Sequence, residues 1–339
     1  MSETELVNHI GILHEPTDAV GTDAINPAST THYLLGKATE PMGDYPNEEL
    51  KFQPMYFNSY ETGEILRTSS KVVGDPLLFE PVNCYPWKFL FCSGSTGIAT
   101  DSGSPDLYTI DPITSGQRSS FSKRTDAGNS ATNDRDHYLG NRLFDYSEVF
   151  DFFDPTGEPR LQSSWNDEGL RRVDPESDVS NPPIYPNSTS NSYKKDDNTV
   201  LTWDGDSMLP EIGSFRWGVQ LGTKDHPIDN QLYPEAYTTG NMLVNFSFTI
   251  RRAGGTSTSI RTDHKALVSS GTTKDIHFKI HNTATLYKDV VLNDCVWNMK
   301  RNHVIDNLMR MPTWIVTGIA KTITPTFKDG LDKTTFYEL

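Results

Sequence analysis

Histidine and cysteine are the residues of this chain best suited to bind a metal ion or to carry nucleophilic chemistry. The chain has nine His and three Cys, but zinc sites need ligands at short spacings such as C-x2-C or H-x3-H. Cys84 and Cys92 are well separated in an aromatic stretch, and Cys295 is remote from both. His277 and His281 are four residues apart, which suits a helix, yet the surrounding alternation predicts a strand. We therefore expect buried structural thiols and two histidines on a solvent or interface face, with no metal site.

Two acidic segments faintly resemble calcium-binding loops, Asp196-Asp-Asn and Asp204-Gly-Asp-Ser. Calcium prefers clustered carboxylate oxygens, but the complete EF-hand pattern with its terminal Glu is missing. The sequence also lacks G-x-S-x-G, the P-loop, G-x-G-x-x-G and H-E-x-x-H. We predict that the protein is not an enzyme, that it uses no cofactor, and that it has no catalytic, cofactor-binding or metal-binding residues.

One stretch is unusually rich in aromatic residues and contains Tyr85, Trp87, Phe89 and Phe91. Such rings could form a platform on which carbohydrates stack. They could equally form a hydrophobic anchor, either in the core or in a subunit contact, and the density of Phe and Leu favours this second interpretation. Part of the stretch is expected to be a short helix that packs on a sheet.

Composition and charge exclude several classes of protein. The 339 residues carry 30 Lys plus Arg and 45 Asp plus Glu, a formal charge of −15, and are 35% hydrophobic. An acidic protein is poorly suited to bind nucleic acid, because Lys and Arg supply most of the affinity for the phosphate backbone. Apolar runs are too short to span a membrane. The acidic N-terminus does not resemble a secretory signal, so we expect synthesis in a reducing cytoplasm.

A turn-rich composition with 24 Gly and 21 Pro predicts a mainly β fold of many short strands. The clearest alternation is at 243–250 and 275–281, which predicts strands buried on one face. Residues 314–327 are expected to form one strand that ends at Pro325, and only residues 294–311 have the composition of a longer helix. The predicted apolar faces consist of Val244, Phe246, Phe248, Ile250, Ile276, Phe278 and Ile280.

Changes in composition and in the pattern of apolar residues along the chain predict four parts. Residues 1–50 are expected to form an extended arm, 51–165 a first β domain, 166–199 a linker or long loop, and 200–339 a second β domain of related fold. A polar loop is expected at residues 126–136. The arm and this loop have few apolar side chains to offset the entropy of ordering, so we expect both to order only on assembly.

Three segments resemble the major tail tube proteins of long-tailed, siphovirus-like viruses of bacteria or archaea. The first is the aromatic stretch from Val72 to Gly94, which looks like the strand and helical turn of that family. The second is the pair of strands at 119–124 and 137–150. The third, at 243–250 and 274–280, looks like a further copy of the same arrangement.

This resemblance implies two tandem tail-tube-like β-sandwich or barrel domains with one or two short helices. It implies a structural virion protein, made in the host cytoplasm, that forms rings stacked into a hollow tail tube for DNA ejection. The apolar strands above would then be candidate inter-subunit or inner-barrel strands, and the aromatic stretch a candidate anchor. A trimer that imitates a six-fold ring is favoured over a hexamer. The surplus of negative charge predicts an acidic channel; the alternative is that the acidity serves solubility and lies on the outer surface.

The implied partners are further copies of the chain, other tail proteins at the tube ends, and double-stranded DNA that passes without sequence-specific contact. No membrane insertion is expected. The alternative is an extracellular carbohydrate-binding or adhesion module on the same kind of β-sandwich.

Overall fold

A computed structural model describes most of the chain. It covers residues 7–15, 33–34, 36–38, 47–56, 62–73, 77–94, 97–101, 103, 106–114, 118–127, 135–152, 159–173, 191–226, 236–251, 254–302 and 313–330. The fold within these ranges is mainly β, with a large antiparallel sheet. The prediction of a mainly β fold is therefore confirmed.

Twenty strands and two helices follow one another along the described residues. The helices are α1 (Tyr85–Phe91) and α2 (Gly255–Ser270). The strands are β1 (Val7–His14), β2 (Tyr33–Leu34), β3 (Gly36–Ala38), β4 (Asn47–Tyr56), β5 (Thr62–Val73), β6 (Leu77–Pro81), β7 (Ile98–Asp101), β8 (Leu107–Ile110), β9 (Phe121–Ala127), β10 (Arg135–Asp151), β11 (Leu161–Gly169), β12 (Arg171–Val173), β13 (Val200–Trp203), β14 (Asp206–Ser207), β15 (Ile212–His226), β16 (Ala236–Ile250), β17 (Lys274–His281), β18 (Tyr287–Asn302), β19 (Thr313–Ala320) and β20 (Thr322–Lys328).

The strands form three antiparallel sheets that share two long strands. The large sheet runs from β3, β4, β5 and β6 through β11, β10, β15, β16 and β19 to the second half of β18. The small sheet contains β7, β8, β20, the first half of β18, β17, β13 and β14. An N-terminal sheet joins β1, β2, β9 and β12 to the first half of β10.

Strand β18 turns the corner between the small and the large sheet. Its residues up to Asn293 pair with β20, and those from Val296 pair with β19. Between them Asp294 adopts a positive φ of 52°, a left-handed conformation that Asp tolerates better than most residues. This local bulge lets one strand serve both layers.

A short segment closes the two layers into a barrel. Lys194 forms isolated bridges to Arg160 on one side and to His281 on the other. Backbone pairing thereby passes from the large sheet to β17 of the small sheet, and the strands close on themselves within a single chain. We call residues 192–196 the closing strap. Its Tyr193 is fully buried between the layers.

One hydrophobic core fills the space between the layers and draws on the whole chain. Phe121 and Trp165 come from the predicted first domain, and Trp217 and Phe278 from the predicted second. Strand β10 also pairs directly with β15 across the predicted boundary. Two tandem domains are therefore not confirmed, and the division stays a prediction.

The N-terminal part is more regular than an extended arm. Strand β1 pairs with β9, and Ile12 is fully buried. The Glu15 carboxylate, also buried, accepts hydrogen bonds from the hydroxyls of Ser120 and Ser122. These contacts lie within one chain, so residues 7–15 are not part of a purely extended arm. Whether the arm orders only on assembly stays a prediction.

Two predicted loops also contain regular structure. Residues 126–127 and 135–136 at the two ends of the predicted polar loop belong to β9 and β10, while residues 128–134 lie outside the described residues. Strands β11 and β12 continue to Val173, beyond the predicted start of the linker. Pairing with neighbouring strands orders these polar segments, and alternation in the sequence could not reveal it.

Two predictions near the C-terminus are wrong, the strand end at Pro325 and the helix from residue 294. Strands β19 and β20 lie along β18 in one continuous register and are separated only by a bend at Lys321, which agrees with the prediction of one strand over residues 314–327. Pro325 does not end it, because β20 continues to Lys328. Proline is tolerated there because β8 pairs with Thr326 and Phe327, which leaves Pro325 beyond the end of that ladder. Residues 294–302 are strand rather than helix, because Cys295 and Trp297 alternate into the core; residues 303–311 lie outside the described residues.

Candidate assembly surfaces

The two predicted apolar strand faces lie in the core of a single chain. Val244, Phe246, Phe248 and Ile250 of β16 and Ile276, Phe278 and Ile280 of β17 are each at most 2% exposed. The alternation that predicted one-sided burial is therefore confirmed. Strand β16 pairs with β15 and β19, and β17 pairs with β13 and β18. A role for these strands between subunits stays a prediction.

The aromatic stretch forms helix α1 at the centre of the core, as expected for a short helix packed on a sheet. Tyr85, Trp87, Phe89 and Phe91 are each at most 1% exposed. Trp87 makes edge contacts with the rings of Trp217 at 6.0 Å and other core aromatics. Buried rings offer no face to a sugar, so these four do not form a stacking platform.

A buried ion pair joins the two layers next to α1, and nothing in the sequence indicated it. Glu148 of β10 and Lys288 of β18 contact each other, and both side chains are 1% exposed. Tyr146 donates a hydrogen bond to the Glu148 carboxylate at 2.5 Å, and the Trp217 indole donates one at 3.2 Å. The Lys288 ammonium also lies 5.0 Å from the Trp87 ring centroid. Both charged side chains are enclosed by core residues, which suits a structural clamp.

The three cysteines are free and buried, as predicted. Burial raises the pKa of the Cys92 and Cys295 thiols to about 12 and that of Cys84 well above its usual range. The Cys84 sulfur lies 3.7 Å from the Tyr193 hydroxyl of the closing strap. Because the thiolate is the reactive form, such thiols are poor nucleophiles.

We therefore expect all three thiols to resist alkylation in the folded protein. Iodoacetamide at pH near the ordinary thiol pKa of about 8.5 should leave the native mass unchanged. In denaturant the same reagent should add three labels, which mass spectrometry counts directly. Rapid labelling of the folded chain at any of the three positions would contradict the buried placement.

The segments that resemble calcium loops form turns. Asp204 and Gly205 both have positive φ, 48° and 91°, and make the tight turn between β13 and β14, the backbone conformation for which Asp-Gly is selected. Asp196 accepts hydrogen bonds from the Asn198 amide and the Thr199 hydroxyl in its own loop. Among the described residues, no group of three or more His, Cys, Asp or Glu side chains could hold a metal ion.

The two histidines of β17 lie in different surroundings. His277 is half-buried and contacts Asp289 at 2.7 Å. His281 is buried, and its Nδ1 lies 3.5 Å from a carboxylate oxygen of Asp196. The expected solvent or interface position is therefore wrong for His281, because the closing strap covers the end of β17.

His281 gives the closing strap a dependence on pH. Burial lowers the pKa of His281, with a smaller contribution in the same direction from Lys279, while Asp196 and Asp289 oppose the shift. Its stabilising contribution is fully present above the unfolded pKa of about 6.5 and is lost as the pH falls below that value. We expect the urea concentration at the unfolding midpoint to decrease as the pH is lowered below about 6.5. The decrease should be smaller in the His281→Gln variant. An identical pH profile for the two proteins would contradict this.

The large sheet ends in two different kinds of edge. At one end the hairpin β4–β5 extends as a ribbon, joined to β11 at its base where Val72 and Val73 pair with Gly169 and Glu168. Strand β4 has ten residues, a length of about 34 Å at about 3.4 Å per residue. A two-stranded hairpin is at best marginally stable in water, so this ribbon is suited to pair with another surface.

At the other end of the large sheet, the second half of β18 is paired on one side. Residues from Val296 to Asn302 pair with β19. On the opposite side, pairing among the described residues stops at Cys295, which is opposite Lys274. An edge of this length presents backbone donors and acceptors to any strand that approaches it. Side chains with exposed apolar surface, Val296 and Ile319, lie directly opposite each other beside this edge.

Comparison with known proteins assigns no family: no protein-family model matches the sequence, and no curated protein matches it. Within the described residues, no helix combines the length and the apolar character needed to cross a membrane. The β4–β5 ribbon and the β18 edge are the features of the fold that bear most directly on function.

Proposed function

We propose that the chain is a structural subunit that joins further copies of itself through the two ends of its large sheet, forming rings that stack into a hollow viral tail tube. The observation that carries the proposal is the pair of unlike edges, the β4–β5 ribbon at one end and the β18 edge at the other. A contact between two different edges is head-to-tail, and such contacts generate closed rings when the rotation between subunits closes.

The character of the chain supports an architectural role. The ion pair of Glu148 and Lys288 is sealed in the core and joins the two layers. The choice of a tail tube among such assemblies rests on the resemblance of the three sequence segments to tail tube proteins. In such an assembly the virion tail would be the location of the protein, and a ring of three or six chains its unit.

A carbohydrate-binding module remains the alternative, and an open pocket of about 470 Å³ is the place where it would act. The pocket is lined by polar residues of the loop after the strap and by Lys279, His281 and Tyr287. The Lys279 ammonium lies 3.8 Å from the Tyr287 ring centroid, so a sugar could stack on that face only after displacing it. This geometry favours the architectural role.

A shortened ribbon tests the proposal. Replacing residues 51–69 with a two-residue Asn-Gly turn joins Leu50 to Ser70, which are already paired. We expect the wild-type protein to sediment as large assemblies, and the shortened chain to sediment as single subunits with an unchanged thermal midpoint. Val268→Ser on α2 is the control, since Val268 is 76% exposed and outside both edges; it should assemble normally. Normal assembly of the shortened chain would contradict the proposal.

A further inference from the structure

The outward face of the large sheet carries a row of uncharged side chains that crosses the sheet from strand to strand. Each member lies directly opposite the next: Ser164, Ser147, Gly218, Asn245, Ile319 and Val296. Leu78 of β6, opposite Ser164, extends this uncharged row by one further strand. The row therefore crosses seven strands without an ionisable member, and its Ser147 is only 4% exposed.

Each of the two rows beside it contains one charged side chain. One row consists of Gln162, Val149, Arg216, Ser247, Thr317 and Asn298. The other consists of Asn166, Asp145, Gln220 and Leu243. The guanidinium of Arg216 donates a hydrogen bond to the Ser147 hydroxyl at 3.2 Å. Charged residues make up 22% of the chain, and its formal charge is −15. Arg216 and Asp145 are opposite in sign, so the three rows together form a band with no net formal charge on a strongly acidic protein.

The small sheet differs at its centre. Lys279 and Asp289 lie directly opposite each other there, and His277 contacts Asp289. The large sheet is also the layer whose two ends carry the β18 edge and the ribbon. Rows of opposite residues run across strands, so edge-to-edge pairing between copies would continue the uncharged row from one subunit into the next.

A polyanion moves most freely past a surface that neither holds nor repels it strongly. Lys and Arg contacts release counterions from DNA and bind it, while carboxylates repel phosphates within a screening length of about 8 Å. Hydroxyl, amide and apolar groups do neither. We infer that the outward face of the large sheet lines the channel of the assembled tube, and that the uncharged row forms a belt past which double-stranded DNA slides. This inference rests on the proposed function, and it replaces the expected acidic channel with a neutral belt.

Two matched cysteine variants test the inference in the full chain. Thr317→Cys places a thiol on β19 in the large sheet, and Thr324→Cys places one on β20 in the small sheet, both at exposed positions. The native thiols are buried and give little background. Each variant is assembled and treated either with a small maleimide or with a maleimide attached to a folded carrier protein too large to enter the channel.

In tubes we expect the small reagent to label both variants and the carrier to label only Thr324→Cys, while single subunits accept both reagents at both positions. Carrier labelling of Thr317→Cys in tubes would place the large sheet on the outer wall and overturn the inference. Loss of small-maleimide labelling there would show that the face packs against another copy, which also overturns it. Absence of tubes under the microscope would instead refute the proposed function itself, and the inference with it.

Discussion

Replacing Lys288 with methionine is expected to lower the free energy of unfolding by about 3 to 5 kcal/mol. The methionine would fill much of the same volume but would leave the Glu148 carboxylate buried without its cation, and both side chains are 1% exposed in the native protein. Burying an unpaired charge is far more unfavourable than losing a pair at the surface. Urea unfolding followed by tryptophan fluorescence measures the change.

Two further variants separate the ion pair from general damage to the core. Lys288→Met combined with Glu148→Gln removes both charges and should recover part of the lost stability. Lys321→Met removes the lysine of a solvent-exposed pair with Asp294, whose side chains are 75% and 51% exposed, and should change stability by less than about 1 kcal/mol. A loss at Lys288 no larger than the loss at Lys321 would show that the clamp does not stabilise the fold.

Replacing Trp87 with alanine should destabilise the isolated subunit by about 3 to 5 kcal/mol, the usual range for a fully buried tryptophan. Trp87 is completely buried and contacts the rings of Trp217 and Phe327 at 6.0 and 5.8 Å. The substitution would leave a large cavity beside helix α1, and the surrounding aromatic side chains could not move to fill it.

The Trp87 experiment also distinguishes a core residue from a subunit anchor. It is performed at a protein concentration where only single subunits are present, and Trp314→Ala serves as the control because Trp314 is only partly buried. A core role predicts a clearly larger loss at Trp87 than at Trp314. Unchanged stability of the single subunit, with a defect only in assembly, would support an anchor instead.

Sequence patterns predicted the strands that are buried on one face. At β16 and β17 the local alternation and the tertiary environment agree, so the period of two was sufficient. Helix α2 was missed because its sequence, rich in Ser, Thr and Gly, has weak helix propensity. Its first turn is held by Glu211, which accepts hydrogen bonds from the amides of Thr256 and Ser257, a distant contact that no local pattern shows.

The buried ion pair and the candidate assembly surfaces depend on the three-dimensional arrangement. Glu148 and Lys288 are 140 residues apart, and each alone resembles an ordinary surface charge. The uncharged row emerges only when the register of seven strands is known, because its members come from distant parts of the chain. The edge of β18 could not be predicted because residues 294–302 have the composition of a helix. Pairing with β19 overrides that local preference.

The most direct test of the central claim is electron microscopy of the purified protein in negative stain at high concentration. The proposed function predicts rings and stacked hollow tubes, whose rotational symmetry and mass per ring decide between three and six chains. Lone compact particles, at concentrations where the chain is folded and its ribbon is intact, would contradict the claim that this protein builds a tube.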